Sequence, residues 1–577
     1  MTGTKEDLNN LSQIAPEPFD ASQREYLSGF FAGVEQRATV FANFIQPNET
    51  QEEDEEQLLI PEERMKQDLH PLDAYYKIVE NARDEITPDK EDIFRFKWNG
   101  LFFESPVNES FMARLRIPGG QLTSHQLREI AHISEELTTG YIQITTRANF
   151  QIRRIEIQNT PEVLRRIQRI GLHTRGAGAD NIRNLTCNPT AGVDPAELID
   201  CSPFIHDLSE VILSQRVFYD LPRKFNISFD GGGLVSTAED TNDIGIKAVQ
   251  VGDDVMFRIG LGGATGHLAF AQDLGVLVSQ HDIIPVVVAI LKVFIANGNR
   301  GNRKKARLKH LLEDWSLEKY LEETEAVLGK QLQRSELTDD TFVWPSTDLS
   351  HSWVGAYEQK QDNLHYLGVS VPVGQITPNQ LLRIANLAEN YGSGDVRLTV
   401  WQNLIIPNIP SAYIETVKKA VEHMDLSWQQ SNASTGIVAC TGSRHCKYAS
   451  TDTKDHAATL IKHLESDFEL DQPVNIHFTG CPHSCAQHYM GDIGLLGAKT
   501  PEGEPAYHVF VGGGFGKNRA CGRQIFKALP YTDLHATIET MLNAWQTQRK
   551  GKESFQEFTT SKDTETLQTL FAVSTVT

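Results

Sequence analysis

Long apolar runs are missing from this chain of 577 residues. Nothing approaches the roughly eighteen apolar residues that a membrane-crossing helix needs. The first residues, MTGTKEDLNNLSQ, hold neither an apolar leader core nor an arginine-rich stretch, so the expected setting is the cytoplasm. Positive charge is also short: 54 Lys and Arg face 76 Asp and Glu, for a net charge of −22. Nucleic acid, whose phosphates require a basic face, is excluded as a partner on that balance. No G-x-G-x-x-G follows a predicted strand at the start of a βαβ unit, which excludes a built-in dinucleotide domain. Cysteine is scarce at seven, and its uneven placement argues against a disulfide framework. The apolar share, 40%, is enough to build the cores of about three domains.

Four of the seven cysteines form two close pairs, Cys440 and Cys446 in ACTGSRHCKY, and Cys481 and Cys485 in TGCPHSCAQH. Four thiolates so arranged can converge on one metal centre, and soft thiolate suits structural zinc and an iron–sulfur cluster alike. Both readings stay open on spacing. The gap inside the first pair is wide for a zinc knuckle. The turn TGCPHSC, after the apolar run VNIHF, would aim backbone N–H groups where the thiolates point, as a polyanionic cluster requires. The balance favours a cluster. Cys187, Cys201 and Cys521 stand alone; Cys187 follows DNIRNLT, and a buried inert thiol is its expected state.

The chain reads as two copies of one plan. RLRIPGGQLTSHQLREIAHISEELTTGYIQITTRANFQIRR, from Arg114, overlays GVSVPVGQITPNQLLRIANLAENYGSGDVRLTVWQNLIIPN, from Gly368, without a gap. Pro118 meets Pro372, Gly120 meets Gly374, Gln126 meets Gln380, Thr145 meets Thr399 and Asn149 meets Asn403. In each copy a strand (Phe111–Ile117 in the first) should lead through P-x-G into a helix capped by Thr123 or Thr377. Gly140 or Gly394 should end that helix, and an alternating strand should follow. Farther on, KFNISFDGGG overlays PVNIHFTGCP, so Asn226 meets Asn475, and Asp243–Gly245 meets Asp492–Gly494. The glycine runs Gly260–Gly263 and Val511–Gly514 then fall two residues out of step, and helical segments near 281–296 and 534–548 close the halves. The expected fold is α+β, with a pseudo-twofold axis and a cleft between the copies.

Only the second copy carries the cysteine pairs; the first carries arginines, namely Arg114, Arg116, Arg147, Arg153, Arg154, Arg183 and the pair Arg223–Lys224. Singly, each is an ordinary arginine on a solvated strand. As a set confined to one half they read as an anion-binding wall facing the cleft. A further basic run, Arg300, Arg303, Lys304, Lys305, Arg307 and Lys309, reads either as a solvated helix face or as a site for an anion or a partner.

C-x5-C with C-x3-C, RLRIPGG, TTRANFQIR, DNIRN and LPRKFN, on a duplicated plan, together resemble the nitrite and sulfite reductase hemoprotein family from about Pro61 to the C-terminal region. The resemblance implies a [4Fe–4S] cluster and a siroheme that share one cysteine thiolate in the cleft between the halves, and a six-electron reduction of nitrite or sulfite. By the matching motif, Cys440, Cys446, Cys481 and Cys485 would hold the cluster, with Cys485 also the axial ligand of the siroheme. Arg147, Gln151, Asn181 and the segment with Arg303 and Arg307 would meet the carboxylates of the siroheme, and GGGFG at Gly512–Gly516 would be a repeat element touching it. Arg114, Arg183 and Lys224 would face the substrate anion.

Within that family, sulfite reductases resemble R-K-F-K where this chain has Arg223-Lys224-Phe225-Asn226. One lysine fewer suits a monoanion better than a dianion, so Asn226 makes nitrite the expected substrate and sulfite the runner-up. A non-enzymatic cluster or zinc protein is a distant alternative. Without a flavin or nucleotide domain, electrons must come from another protein, most simply a ferredoxin docking on Lys304, Lys305 and Lys309, or on Lys517, Arg519 and Arg523. The expected organisation is an N-terminal helical extension and linker over 1–105, with a helix at 22–38 and an acidic linker at 49–57. Ferredoxin-like halves follow at 106–165 and 360–420, and larger domains at 166–345 and 425–577.

Overall fold

The computed structural model describes residues 59–104, 109–335, 351 and 353–572. The expected helix at 22–38 and the acidic linker at 49–57 lie outside the described residues. The rest of the extension is helical as expected, at Pro61–Asp68, Tyr75–Asp84 and Lys90–Arg95.

The duplication is visible strand by strand. The first copy opens with β1 (Leu101–Phe103), β2 (Phe111–Arg114), β3 (Gln121–Thr123), β4 (Ile142–Ile144) and β5 (Phe150–Ile155). Its larger sheet holds β6 (Ile227–Asp230), β7 (Ile244–Val251), β8 (Asp254–Leu261), β9 (Gln272–Val278) and β10 (Gln333–Arg334). The second copy opens with β11 (Gly355–Glu358), β12 (Leu364–Val369), β13 (Gln375–Ile376), β14 (Asp395–Leu398) and β15 (Leu404–Pro410). Its larger sheet holds β16 (Ile437–Ala439), β17 (Ile476–Thr479), β18 (Ile493–Lys499), β19 (Pro505–Val511) and β20 (Arg523–Pro530). In both larger sheets a parallel pair (β6 with β7, β17 with β18) runs into antiparallel neighbours.

The two small sheets exchange an edge strand. One has the order β1-β2-β5-β4-β13 and the other β11-β12-β15-β14-β3, so each copy donates its short third strand to its sibling. Glycine makes this exchange possible. A Cβ on Gly120 (φ +72°) would lie 2.5 Å from the carbonyl oxygen of Leu398, and one on Gly374 (φ +68°) would lie 2.6 Å from that of Ile144. Each turn therefore presses on the other copy's strand where no side chain fits, in a left-handed conformation that glycine adopts freely. Gly120→Ala or Gly374→Ala is expected to cost more than about 2 kcal/mol, read as a lowered thermal transition of the purified protein. Buried residues of both small halves, from Ile78 to Leu172 and from Leu367 to Leu426, form one continuous core.

Matched local signals set the matched helices. Thr123 caps Ser124–Leu137 and Thr377 caps Pro378–Tyr391, each by a capping box with Gln126 or Gln380. The ends differ. Gly394 (φ +83°) donates its N–H to the Ala388 carbonyl and closes the second helix as expected. In the first copy Gly140 does not cap: the Thr138 hydroxyl donates to Ser134 O at 2.7 Å, and Gly140 instead gives room to the Arg153 carbonyl. Nor does β4 alternate; Ile142, Gln143 and Ile144 are all buried, Gln143 because its side-chain oxygen accepts from Arg153 at 2.6 Å.

Two boundaries shift. The small halves begin earlier, with edge strands β1 and β11, and end later, after helices Thr160–Arg169 and Ile414–Glu422. The glycine runs are one residue out of step rather than two: Ile244 pairs with Leu261 and Ile493 with Val511, so Gly262 and Gly263 occupy the places of Gly512 and Gly513.

Candidate functional site

Strand order brings the cysteine pairs together. β16 ends at Ala439 and β17 at Thr479; they are adjacent and parallel, with Ala439 opposite Phe478. Both pairs therefore leave the C-terminal ends of neighbouring strands, the usual edge for a ligand site in parallel sheets. The Gly480 N–H donates to Cys440 Sγ at 3.2 Å, and the Thr453 hydroxyl donates to the Cys440 carbonyl at 2.8 Å. Thr146, from the first copy, donates to the Cys485 carbonyl at 2.9 Å. Burial, with Cys485, Cys446 and Cys440 nearby, pushes the Cys481 thiol up to about 12. Four mutually interacting thiols, one receiving a backbone N–H, fit an electron-poor metal body that would take them as thiolates. Among the described residues, no three Cys, His, Asp or Glu side chains converge on a point where a single ion could be held. A four-iron cluster, larger than one ion, asks only that the thiols surround it.

Of the cations expected at the substrate, Lys224 and Arg114 act on Cys485, and Arg183 stands beside both. Arg114, Arg183 and Lys224 each keep part of their surface open while the protein encloses them. Burial lowers Lys224 to about 7, Arg307, Arg183 and Arg223 push the same way, and the nearby Cys485 opposes them. Arg114 is lowered to about 10 by burial, again against Cys485, and burial with Arg114 beside it takes Arg183 well below its ordinary value. Arg114 lies over the Phe102 ring at 4.4 Å and donates to the Ala177 carbonyl at 3.3 Å. Arg183 Nη1 is buried without a partner, and no described residue accepts a hydrogen bond from Lys224. Burying these cations costs free energy, which Asp180 offsets in part for Arg183 and Cys485 for Lys224 and Arg114.

A small, partly open pocket lies where both copies meet, between Thr146–Arg147, Thr237–Asn242, Trp401 and the His477–Met490 region. Arg147 enters it, donating to the Asn242 side chain and to the carbonyls of Asn184 and Ile227, with its Nε left buried and unpaired. Trp401 stacks on Trp353 at 4.5 Å and tilts against Phe515 at 4.8 Å, so the cavity has an aromatic side wall. Burial lowers His477 to about 4 and holds its ring neutral, against the carbonyls of Ala486 and Gln487 that its Nδ1 meets, and Nε2 is left buried with no partner. Orphaned donors and an acceptor beside aromatic planes fit a flat, polar-rimmed macrocycle such as siroheme.

Other expected residues stand differently. Arg303 is spent on carboxylates: its Nη atoms grip buried Asp180 at 2.6 and 2.7 Å and its Nε lies 3.4 Å from Glu62, so it is not free to hold a cofactor. It fastens the helix Pro61–Asp68 to the first copy, as Arg300 does through Glu63 and Asp220. Arg307 grips Asp243 through Nε and Nη2, leaving Nη1 for a ligand. Gln151 gives its oxygen to Arg153 at 2.6 Å and so positions that arginine. Asn181 donates to Gly178 O at 2.7 Å, with its own Oδ1 unpaired. Asn226 shares the extended segment of Lys224: Phe225, Ile227 and Phe229 are buried, which puts Lys224 and Asn226 on the opposite face. Among the remaining arginines, Arg116 is spent on the carbonyls of Arg175, Ile182 and Arg183.

Several contacts escaped sequence reasoning, among them those of Arg153, which was read only as part of the cationic wall. Arg153 crosses to the second copy, donating to Thr441 beside Cys440 at 2.8 Å while paired with Glu104. Glu104 also stands 3.3 Å from His445, whose other nitrogen meets Tyr141 at 2.9 Å. His477 and Lys454 were equally hidden; the only signal was membership of the cysteine-bearing copy.

A duplicated α+β chain that gathers four thiols and an unpaired cationic wall is an iron–sulfur oxidoreductase in class. Models of the nitrite and sulphite reductase 4Fe-4S domain match residues 178–332 and 430–570, and those of the nitrite/sulfite reductase ferredoxin-like half domain match 104–170 and 357–424. The chain is 37% identical to the ferredoxin–nitrite reductase of Synechococcus elongatus over 461 residues, covering 78% of this chain and 88% of that protein. It is 30% identical to the assimilatory ferredoxin-dependent nitrite reductase of Haloferax mediterranei, covering 86% and 90%. The solved structure of the Mycobacterium tuberculosis NirA protein superposes with a TM-score of 0.81 at 27% identity, covering 88% of this chain and 97% of NirA. The chain belongs to the nitrite and sulphite reductase family. Among the described residues no helix is long and apolar enough to cross a membrane.

Proposed function

We propose that the chain reduces nitrite to ammonium by six electrons, which reduced ferredoxin delivers through a [4Fe–4S] cluster on Cys440, Cys446, Cys481 and Cys485. The observation that carries this reading is the grouping of Lys224 and Arg114 about Cys485, with Arg183 beside both. When bound, a siroheme held by Cys485 would supply the redox chemistry at the substrate, and the cluster on the four cysteines would supply electrons one at a time. Arg147, the free Nη1 of Arg307 and the unpaired atoms of Asn181 and His477 would orient the siroheme's polar rim. Arg114 and Arg183 would offset charge on the substrate oxygens as the N–O bonds break. Lys224, poised near neutrality, can give a proton to a departing oxygen and regain it from water. Electrons reach the chain from ferredoxin, because no nucleotide fingerprint offers an internal route. The setting is the cytoplasm, where thiols stay reduced; all seven cysteines are free.

Nitrite is preferred over sulfite because Asn226 adds no second charge to the face bearing Lys224. Turnover with a reduced viologen dye, following ammonium from nitrite and sulfide from sulfite at matched low substrate, tests the reading. A larger kcat/KM for nitrite is expected. Asn226→Lys should narrow that preference at least tenfold by favouring the dianion, a shift of about 1.4 kcal/mol. Equal preference in the wild type and the variant would remove Asn226 from substrate choice.

A further inference from the structure

Lys454 lies in the first turn of the helix Thr453–Asp467, 4% exposed, and its ammonium donates to the carbonyl of Val373. No carboxylate among the described residues stands within ion-pair distance of it. Burial lowers Lys454 to about 7 and Arg153 pushes the same way, with Cys440 alone opposing them, so negative charge gathered at Cys440 is what keeps the ammonium charged. The residue before it, Thr453, places its hydroxyl 3.5 Å from Cys440 Sγ and bonds the Cys440 carbonyl. A buried ammonium thus rests beside the cysteine pairs with a thiol in place of a counterion, an arrangement that costs stability unless negative charge gathers there.

The internal repeat shows that this lysine belongs to the cysteine-bearing copy. Helix Ser202–Ser214 packs on the turn Pro118–Gly120 as Thr453–Asp467 packs on Pro372–Gly374. The first-copy helix, SPFIHDLSEVILS, contains no lysine, and its copy has no cysteine pairs. The turn holding Lys454 is also unusual. Val373 has φ +49°, a left-handed conformation strained for a β-branched residue, where the first copy has Gly119. The bond from Lys454 fixes that turn and, in return, fixes the ammonium next to Cys440.

We infer that Lys454 is a positioned cation that raises the reduction potential of the cluster held by Cys440, favouring electron capture from the donor. This rests on the cluster reading given above. In the step concerned, the cluster gains one electron and the donor protein loses one. The reduced cluster carries one more negative charge, and a fixed positive charge in a low-dielectric site stabilises that form more than the oxidised one. Removing the charge must therefore lower the potential.

The test is a potentiometric titration of the holoenzyme, followed by the electron paramagnetic resonance signal of the reduced cluster. Lys454→Gln keeps a donor for the Val373 carbonyl without charge, Lys454→Met removes both, and Lys454→Arg keeps the charge. In the neutral variants the equilibrium constant for accepting the electron should fall at least tenfold, about 59 mV lower for one electron. Lys454→Arg should stay near the wild type. A wild-type potential in Lys454→Gln overturns the inference. So does loss of the cluster or the fold in both neutral variants, which would make Lys454 purely structural. A wild type with no cluster signal would overturn the cluster reading as well, an outcome distinct from an unmoved potential.

Discussion

Lys224→Ala is expected to keep the iron content and absorbance of the wild type and to lose nitrite turnover by a factor of about 10²–10⁴. Lys224 has no hydrogen-bond acceptor among the described residues, so its removal leaves no buried partner stranded. Its neighbours Arg307, Arg183 and Arg223 repel it, which makes its removal favourable for the empty protein. A side chain whose charge burdens the fold, yet faces an anion site, is there for the ligand. The pH dependence follows from the same environment. Burial first, then neighbouring cations, hold the ammonium near 7, so it is charged below that pH and loses its proton above it. Nitrite affinity should therefore weaken as pH rises through about 7, with a bound anion moving the midpoint upward. In Lys224→Ala that weakening should vanish from a titration of nitrite binding. The sign for stability is opposite. The folded value lies below the unfolded 10.5, so the empty protein becomes more stable as pH rises from about 7 towards 10.5. Cofactor loss from Lys224→Ala would instead make the lysine a structural residue and defeat its assignment as proton donor.

The sequence carried the parts of this molecule that have strong local or repeated signals. Thr123-x-x-Gln126 and Thr377-x-x-Gln380 announced both capped helices, because a capping box needs only residues three apart. Gapless alignment announced the duplicated fold. The cysteine pairs announced a metal centre because few other residue types suit one. What stayed hidden depends on partners far away in the chain. β3 and β13 are three and two residues long, too short for any periodicity, so their exchange between copies left no pattern to find. Arg303 looked like a cofactor ligand because a sequence cannot show that Asp180 already holds it. Arg147 and Arg303 are the same residue type in the same copy; only the carboxylates separate their roles. Lys454 drew no reading at all, since one lysine near an N-cap is ordinary; its burial is what gives it meaning.

Cys485→Ala should have the largest effect of any single change: loss of cluster iron and siroheme absorbance together, and nitrite reduction reduced to background. Three separate features meet at this residue. It is one of four thiols whose mutual influence marks them as neighbours, with burial and Cys440 raising it and Lys224 and Arg114 opposing them. It is also the thiol nearest the cationic wall in electrostatic terms, the only one that acts on Arg114 and Lys224 alike. Its carbonyl is fixed by Thr146 of the first copy, so its place is set from both halves of the molecule. Alanine keeps that backbone bond and removes only the sulfur, which separates chemistry from folding. Cys446→Ala should behave differently, removing cluster iron while leaving the first-copy wall and the cavity lining unchanged. Cys187→Ala, far from any metal role in a site where burial pushes its thiol up to about 12, should retain both absorbance and iron. Iron analysis and visible spectra of the three variants decide the matter. Full siroheme absorbance in Cys485→Ala would show that its sulfur is not the link between cluster and macrocycle, whereas joint loss there, with cluster loss in Cys446→Ala, makes one sulfur atom the junction of the two cofactors.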